Sequence, residues 1–254
     1  MKIKIILSPA KKMQVDTDSL PWQQLPVFLP QAAVLQNALR SMTPQQLKRL
    51  WNCSDAILEQ NLERLHRFEL TKQLTPALLA YDGIQYKHMA AGVFSDSQFA
   101  YLQDSLCILS GFYGLLRPFD GVIPYRLEMQ AKLAVGEAAD LYAFWGDSIA
   151  RQIFADGDCC LLDLASREYS RCVLRHLPKG ARVVSFLFAE QNPQGKLVEK
   201  GTLCKMARGE MVRFLAEHQV RTPEEAARLL PQFTALGYRY SPADSDEGRY
   251  VFVR

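Results

Sequence analysis

Between Leu109 and Met129 the chain carries Gly111, Gly114, Arg117, Arg126 and Glu128, in the runs LSGFYGLLRP and PYRLEM. Arginine forks match the geometry of phosphates and base edges. In an extended segment Arg126 and Glu128 share a face, so the carboxylate either orients the fork or moves a proton. Two glycines three apart, between apolar residues, imply a tight hairpin after a helix, where backbone N–H groups come close to an anion. A packing turn and a structural ion pair account for the same residues.

Three further segments bear on the same chemistry. The run LSPAKK places Lys11 and Lys12 directly after a first strand, where open sheets put ligand-contacting loops. In KMARGEMVR, Lys205, Gly209 and Arg213 fall at i, i+4 and i+8 with Arg208 beside them. That is a basic helix stripe with a gap at which a backbone can approach. In YAFWGD, Tyr142 and Trp145 face inward and Asp147 is the polar member; Gly146 inside a helix costs about 1 kcal/mol relative to alanine and needs a packing reason. Solvated lysines and a solvated helix face are the plain alternatives.

Other chemistries find no support. There is no GxSxG, no phosphate-binding GxxxxGK[ST] loop and no GxGxxG after a strand. The four histidines are scattered and the six cysteines contain no CxxC pair, so no metal site and no cofactor is expected. The cysteines read as reduced, mostly buried thiols. Within Cys159-Cys160 side chains alternate, so one thiol faces the core.

With 48% hydrophobic and 22% charged residues over 254 positions, the composition is that of a folded globular chain with a substantial core. No apolar run is long enough to span a bilayer, and the short N-terminal run KIKII reads as a strand rather than a signal peptide. The cytoplasm is the expected compartment, with no membrane partner. Net charge is only +3 but uneven: Arg167 to Arg213 holds ten basic and four acidic residues, whereas Glu217 to Glu247 holds three basic and six acidic. Such an asymmetric field suits a polyanionic partner better than the total implies.

These segments must be positioned by a mixed set of elements. Lys2–Leu7, 160–164, 182–188 and 250–253 read as strands, the middle pair apolar enough for burial on both faces. Helix starts are signalled at Pro30, Thr43-Pro44, Ser54, Thr75-Pro76, Ser95 and Thr222-Pro223. The helix from Ser95 is expected to run through Leu106 and end near Gly111, and 137–154 reads as one helix. Helices crowd the first half and strands the second. This disfavours a doubly wound sheet and predicts a single α/β (mixed) domain over 1–254, with a mixed β-sheet and surrounding helices.

Taken in order, LSPAK (7–11), LSGFYGLLRP (109–118), PYRLEM (124–129), FWGD (144–147), LAS with Glu168-Tyr169, and Lys205 with Ala207-Arg208-Gly209 resemble the YaaA family of bacterial peroxide stress resistance proteins. The likeness spans nearly the whole chain. It departs at YDGIQY (81–86), where the family usually has Gly-Asp followed by a valine and a tyrosine; Tyr86 still matches. The resemblance implies a compact α/β fold with a helix-hairpin-helix-like element, a response to hydroperoxide, lowered free iron, and double-stranded DNA bound in a positive cleft. Carried over by position, the nucleic-acid contacts are Lys11, Gly111, Gly114, Arg117, Arg126, Lys205 and Arg208.

Two functions remain open at this level. A DNA-binding protein of little sequence preference needs the basic groups and backbone amides, and its affinity falls steeply with salt. An enzyme acting on a nucleotide, nucleobase or damaged nucleic acid uses Glu128 and Asp147 as acid and base, which a bare phosphate-binding surface does not need. Direct iron binding lacks ligands at recognisable spacing, so an effect on iron is expected to be indirect.

Overall fold

A computed structural model describes residues Met1–Arg254. Its strands are β1 (Lys2–Leu7), β2 (Thr75–Pro76), β3 (Leu106–Ser110), β4 (Gly114–Leu116), β5 (Gly121–Val122), β6 (Cys159–Asp163), β7 (Arg182–Gln191), β8 (Leu197–Val198), β9 (Arg239–Tyr240) and β10 (Arg249–Val253). Eight of them form one mixed sheet in the order β4-β3-β1-β6-β7-β10-β9, with β8 paired to β7; β2 and β5 make a separate small ribbon. The α/β (mixed) class is thus as expected.

The topology is more regular than the sequence suggested. β3, β1, β6, β7 and β10 are parallel neighbours, while β4, β8 and β9 add antiparallel pairings. In chain order the parallel strands stand second, first, third, fourth and fifth, an order found in doubly wound sheets. The expectation that such a sheet was disfavoured is therefore corrected. Its alternation was hidden because the β1-to-β3 crossover contains six α-helices and the short strand β2, starting with helix Leu29–Arg40 and ending with helix Asp96–Ser105. β3 and β6 are buried along their full lengths, as central parallel strands must be. One apolar cluster of 63 buried residues, from Ile3 to Phe252, unites sheet and helices.

Three local expectations change. The helix opened by the Ser95 capping box stops at Ser105, and Leu106–Ser110 pair with β1 and β4 as a strand. Gly111 consequently lies in the β-hairpin turn between β3 and β4 and Gly114 opens β4 opposite Ser110; neither lies in a helix-hairpin-helix element. The segment 137–154 forms two short helices, Leu141–Trp145 and Ser148–Ile153, broken at Gly146 with φ +49° and ψ −128°. A left-handed φ of this kind explains a glycine there without invoking close packing. Thr75-Pro76 is strand β2, followed by the single helical turn Ala77–Ala80.

Candidate functional site

Because β1 and β6 are adjacent and parallel, the loops after them leave the sheet side by side at the carboxyl ends of both strands. Their chain connections run to opposite sides, β1 toward β3 and β6 toward β7. This is the switch point at which open α/β sheets leave a crevice. Ser166 N–H donates to Ser8 Oγ (2.8 Å), and Ser8 Oγ donates to Ser166 Oγ (3.2 Å), tying the two loops together. Ser8 O accepts from Gln85 Nε2 (2.9 Å) and Tyr86 OH (3.0 Å), which fixes the helix Ile84–Met89 against the same corner.

Above this junction lies a cleft of about 370 Å³. Its walls are 8–12, 82–85, 125–128, Ser166, Glu168 and Tyr169, and Lys205 with Arg208 from the helix Gly201–Glu217. The close approach of that last helix depends on Gly209. A Cβ there would collide with the Gln85 carbonyl oxygen and lie 3.0 Å from Met89 N. The gap read from the sequence is thus filled by the protein's own backbone.

Charge in the cleft is mixed and unevenly satisfied. Glu128 sits between Lys11 Nζ (2.9 Å) and Arg126 (3.3 Å). Arg126 also donates to Trp51 O (3.4 Å), and its Nε is buried without a partner. Asp82 is held by Lys12 (2.5 Å) and Lys87 (3.2 Å), with the Lys12 hydrogen bond first among the effects that lower its carboxyl below the ordinary range. Arg208 is the outlier. Its side chain is only 14% exposed, its nearest carboxylate is Glu199 at 3.7 Å, and its Nε is buried with no acceptor. Lys205, one helical turn away, is exposed and makes no ion pair within 4 Å.

The carboxylates beneath have no ion-pair partner. Burial raises the Glu168 carboxyl, and the nearby Glu128 charge raises it further. One Glu168 oxygen accepts the Gln130 N–H (3.2 Å), and no cation pairs with the group. Burial likewise raises Asp163, at the end of β6, which accepts from Ser170 Oγ (2.7 Å) and Ala165 N–H (3.0 Å). Tyr125 lies over Phe112 with centroids 4.9 Å apart. Its hydroxyl bonds to Ser110 Oγ (2.6 Å) and Tyr81 OH (2.8 Å), and burial pushes it to about 12. These contacts hold a rigid aromatic floor.

Of the residues singled out from the sequence, Lys11, Arg126, Glu128, Lys205 and Arg208 meet at this cleft. The others lie elsewhere. Gly111 is buried against the Leu127–Met129 backbone, where a Cβ would stand 2.6 Å from Leu127 O. Gly114, with φ +70°, is buried against the Trp145 ring. Both serve packing, and Trp145 Nε1 donates to Gly111 O (3.1 Å). Arg117 is outside the cleft, with Nε on the buried Asp120 (2.9 Å) and its fork on Leu25 O (3.3 Å). Asp147 is a surface partner of Arg151. Gln85 was missed, having no motif to mark it. Glu168 and Ser166 were present in matched segments but carried no assigned role.

A mixed sheet whose central strands are parallel, with a cleft at its switch point lined by both cations and carboxylates, defines an α/β protein. The sequence comparisons specify it further. Residues 3–244 match the family described as peroxide stress protein YaaA. A UPF0246 protein of Agathobacter rectalis is 47% identical over 252 residues, 99% of each chain. Relatives of the same description in Desulfitobacterium hafniense (46%; 99% of this chain and 98% of the relative) and Lactiplantibacillus plantarum (44%; 99% of each) are similar throughout. The chain belongs to the YaaA peroxide stress protein family.

Proposed function

We propose that the protein serves peroxide stress resistance by binding double-stranded DNA along the lysine rim of the cleft, with one phosphate-bearing nucleotide unit entering the cavity. The observation that carries this reading is the pair Arg208 and Lys205 on one helix face at the switch-point cavity: Arg208 has a buried Nε with no acceptor and only a 3.7 Å contact to Glu199, and Lys205 is exposed with no ion pair. A buried N–H donor without an acceptor costs about 1–3 kcal/mol. A phosphate oxygen pair would supply those acceptors in the planar geometry an arginine fork prefers. The cavity volume of about 370 Å³ falls within the range of small-ligand sites. Lys11, Lys12 and Lys87, with side chains 64%, 75% and 69% exposed, are in ion pairs weak enough to be exchanged for phosphate contacts. DNA covered in this way is shielded from hydroxyl radicals generated by free iron, so the effect on iron damage is indirect.

Gly111, Gly114 and Arg117 drop out of this contact set, leaving Lys11, Arg126, Lys205 and Arg208 from the original group. The test is fluorescence anisotropy with a duplex and with mononucleotides across salt. If Lys11, Lys12, Lys87 and Lys205 each neutralise one phosphate, log K should fall with log salt at a slope of about −3.6, and Lys205→Ala should reduce that slope by about 0.9. No binding to either probe at low salt refutes the proposal. A second reading, an enzyme acting on the bound nucleotide, is favoured by Glu128 and Glu168 lining one cavity; Asp147 has no part in it.

A further inference from the structure

We propose that the cleft is a hydrolytic site that cleaves the N-glycosidic bond of a bound nucleotide, with Glu168 as the acid and Glu128 as the base. The proposal rests on the nucleotide-binding reading and adds a reaction to it. Its basis is the placement of two carboxylates with unlike surroundings in one cleft with Lys205, which has no ion pair, and Arg208, whose Nε is buried without an acceptor. Glu128 lies between Lys11 and Arg126, whereas Glu168 is half-buried, has no cation partner and keeps one oxygen on the Gln130 amide. Burial and the Glu128 charge favour the protonated form of Glu168. Glycosidic cleavage divides its work between two such carboxyl groups: one supplies a proton and the other receives one.

The step balances without a redox partner. A water oxygen attacks the sugar C1′ and loses a proton to Glu128. The C1′–N bond breaks, its electron pair stays on the base nitrogen, and that nitrogen takes the Glu168 proton. The products are a free base and a sugar bearing a C1′ hydroxyl; the Glu128 proton returns to Glu168 through solvent. Arg208 and Lys205 hold the phosphate, while the Tyr125 floor gives the base or sugar an aromatic surface. A phosphate-holding fork spends its binding energy on orientation of the reacting carbon.

Base release is measured by chromatography from three probes: nucleoside 5′-monophosphates, an undamaged duplex, and a duplex containing one 8-oxoguanine. Release from the monophosphates places the substrate among free nucleotides, and release from either duplex places it in DNA; either result supports the proposal. Glu168→Gln keeps an acceptor for Gln130 and should lose about 100-fold or more of the rate, with probe binding retained within about threefold. Binding without release from any probe overturns the hydrolytic proposal and leaves the binding function standing. Release that Glu168→Gln and Glu128→Gln both leave unchanged also overturns it. Absence of binding to all probes overturns the reading on which it rests.

Discussion

Gly209→Ala tests how the cleft is assembled. The position lies within the helix Gly201–Glu217, packed against the backbone of the helix Ile84–Met89. An added Cβ would meet the Gln85 carbonyl, with Gln85 C and Met89 N each 3.0 Å away. All three obstacles are backbone atoms, so no side chain can rotate aside. Overpacking of a tight core costs about 1–3 kcal/mol, and a rigid backbone obstacle places this site at the upper end. Alanine returns about 1 kcal/mol of helix propensity relative to glycine. The net loss is therefore about 2 kcal/mol, which in a chain of this size lowers Tm by about 4–8 °C. Differential scanning calorimetry of native protein and variant measures it directly. Gly201→Ala, in the first turn of the same helix, is the control: a methyl group added there meets nothing within 4 Å, so the change should be neutral or slightly stabilising. A Gly209→Ala protein that melts at or above the native temperature would falsify the packing account. Gln85 anchors Ser8, so the same variant should also weaken nucleotide binding.

Three other outcomes follow from particular contacts. Arg208→Met should leave the free protein about as stable, because it removes a buried Nε without an acceptor and only a 3.7 Å contact to Glu199, yet weaken nucleotide binding at least about tenfold; equal loss of stability and binding in urea titration and anisotropy counts against the anion-site assignment. Asp120 is buried, and that burial pushes its carboxyl up to about 6 from an ordinary 3.8. The folded value is raised, so its contribution is complete below about pH 4 and lost as pH rises through 6, roughly 3 kcal/mol in all. The urea midpoint should therefore fall between pH 4 and 7, and Asp120→Asn should flatten the fall; identical slopes would refute the assignment. Burial raises the thiols of Cys107, Cys159 and Cys204 to about 11 and that of Cys172 to about 12, so under native conditions the half-buried Cys53 should react first with a thiol reagent. Mass spectrometry of the labelled protein checks this, and prior labelling of any of the five buried thiols, Cys160 included, would contradict it.

The sequence by itself determined the local features. Capping boxes at Thr43, Ser95 and Thr222 start helices where their side chains satisfy free backbone amides, and KIKIIL forms a strand because its apolar residues alternate and then run together at a buried centre. It also marked Lys11, Arg126, Glu128, Lys205 and Arg208, because they fall in runs that resemble the YaaA family; by type and spacing alone each kept a structural alternative. Tertiary structure decided which of them meet. Strand order brings residue 8 beside residue 166, and no periodicity along the chain encodes that neighbour relation. It also divided the glycines and arginines that looked alike in sequence. Gly111 and Gly114 lie under Leu127–Met129 and Trp145, and Arg117 is held by Asp120, whereas Arg208 lines the cavity without a hydrogen bond. A glycine that admits a phosphate and one that admits a neighbouring backbone have the same local signature. Only the packed neighbour distinguishes them, so the stretch 109–129 divides into a buried hairpin and a strip of cleft wall at 125–128.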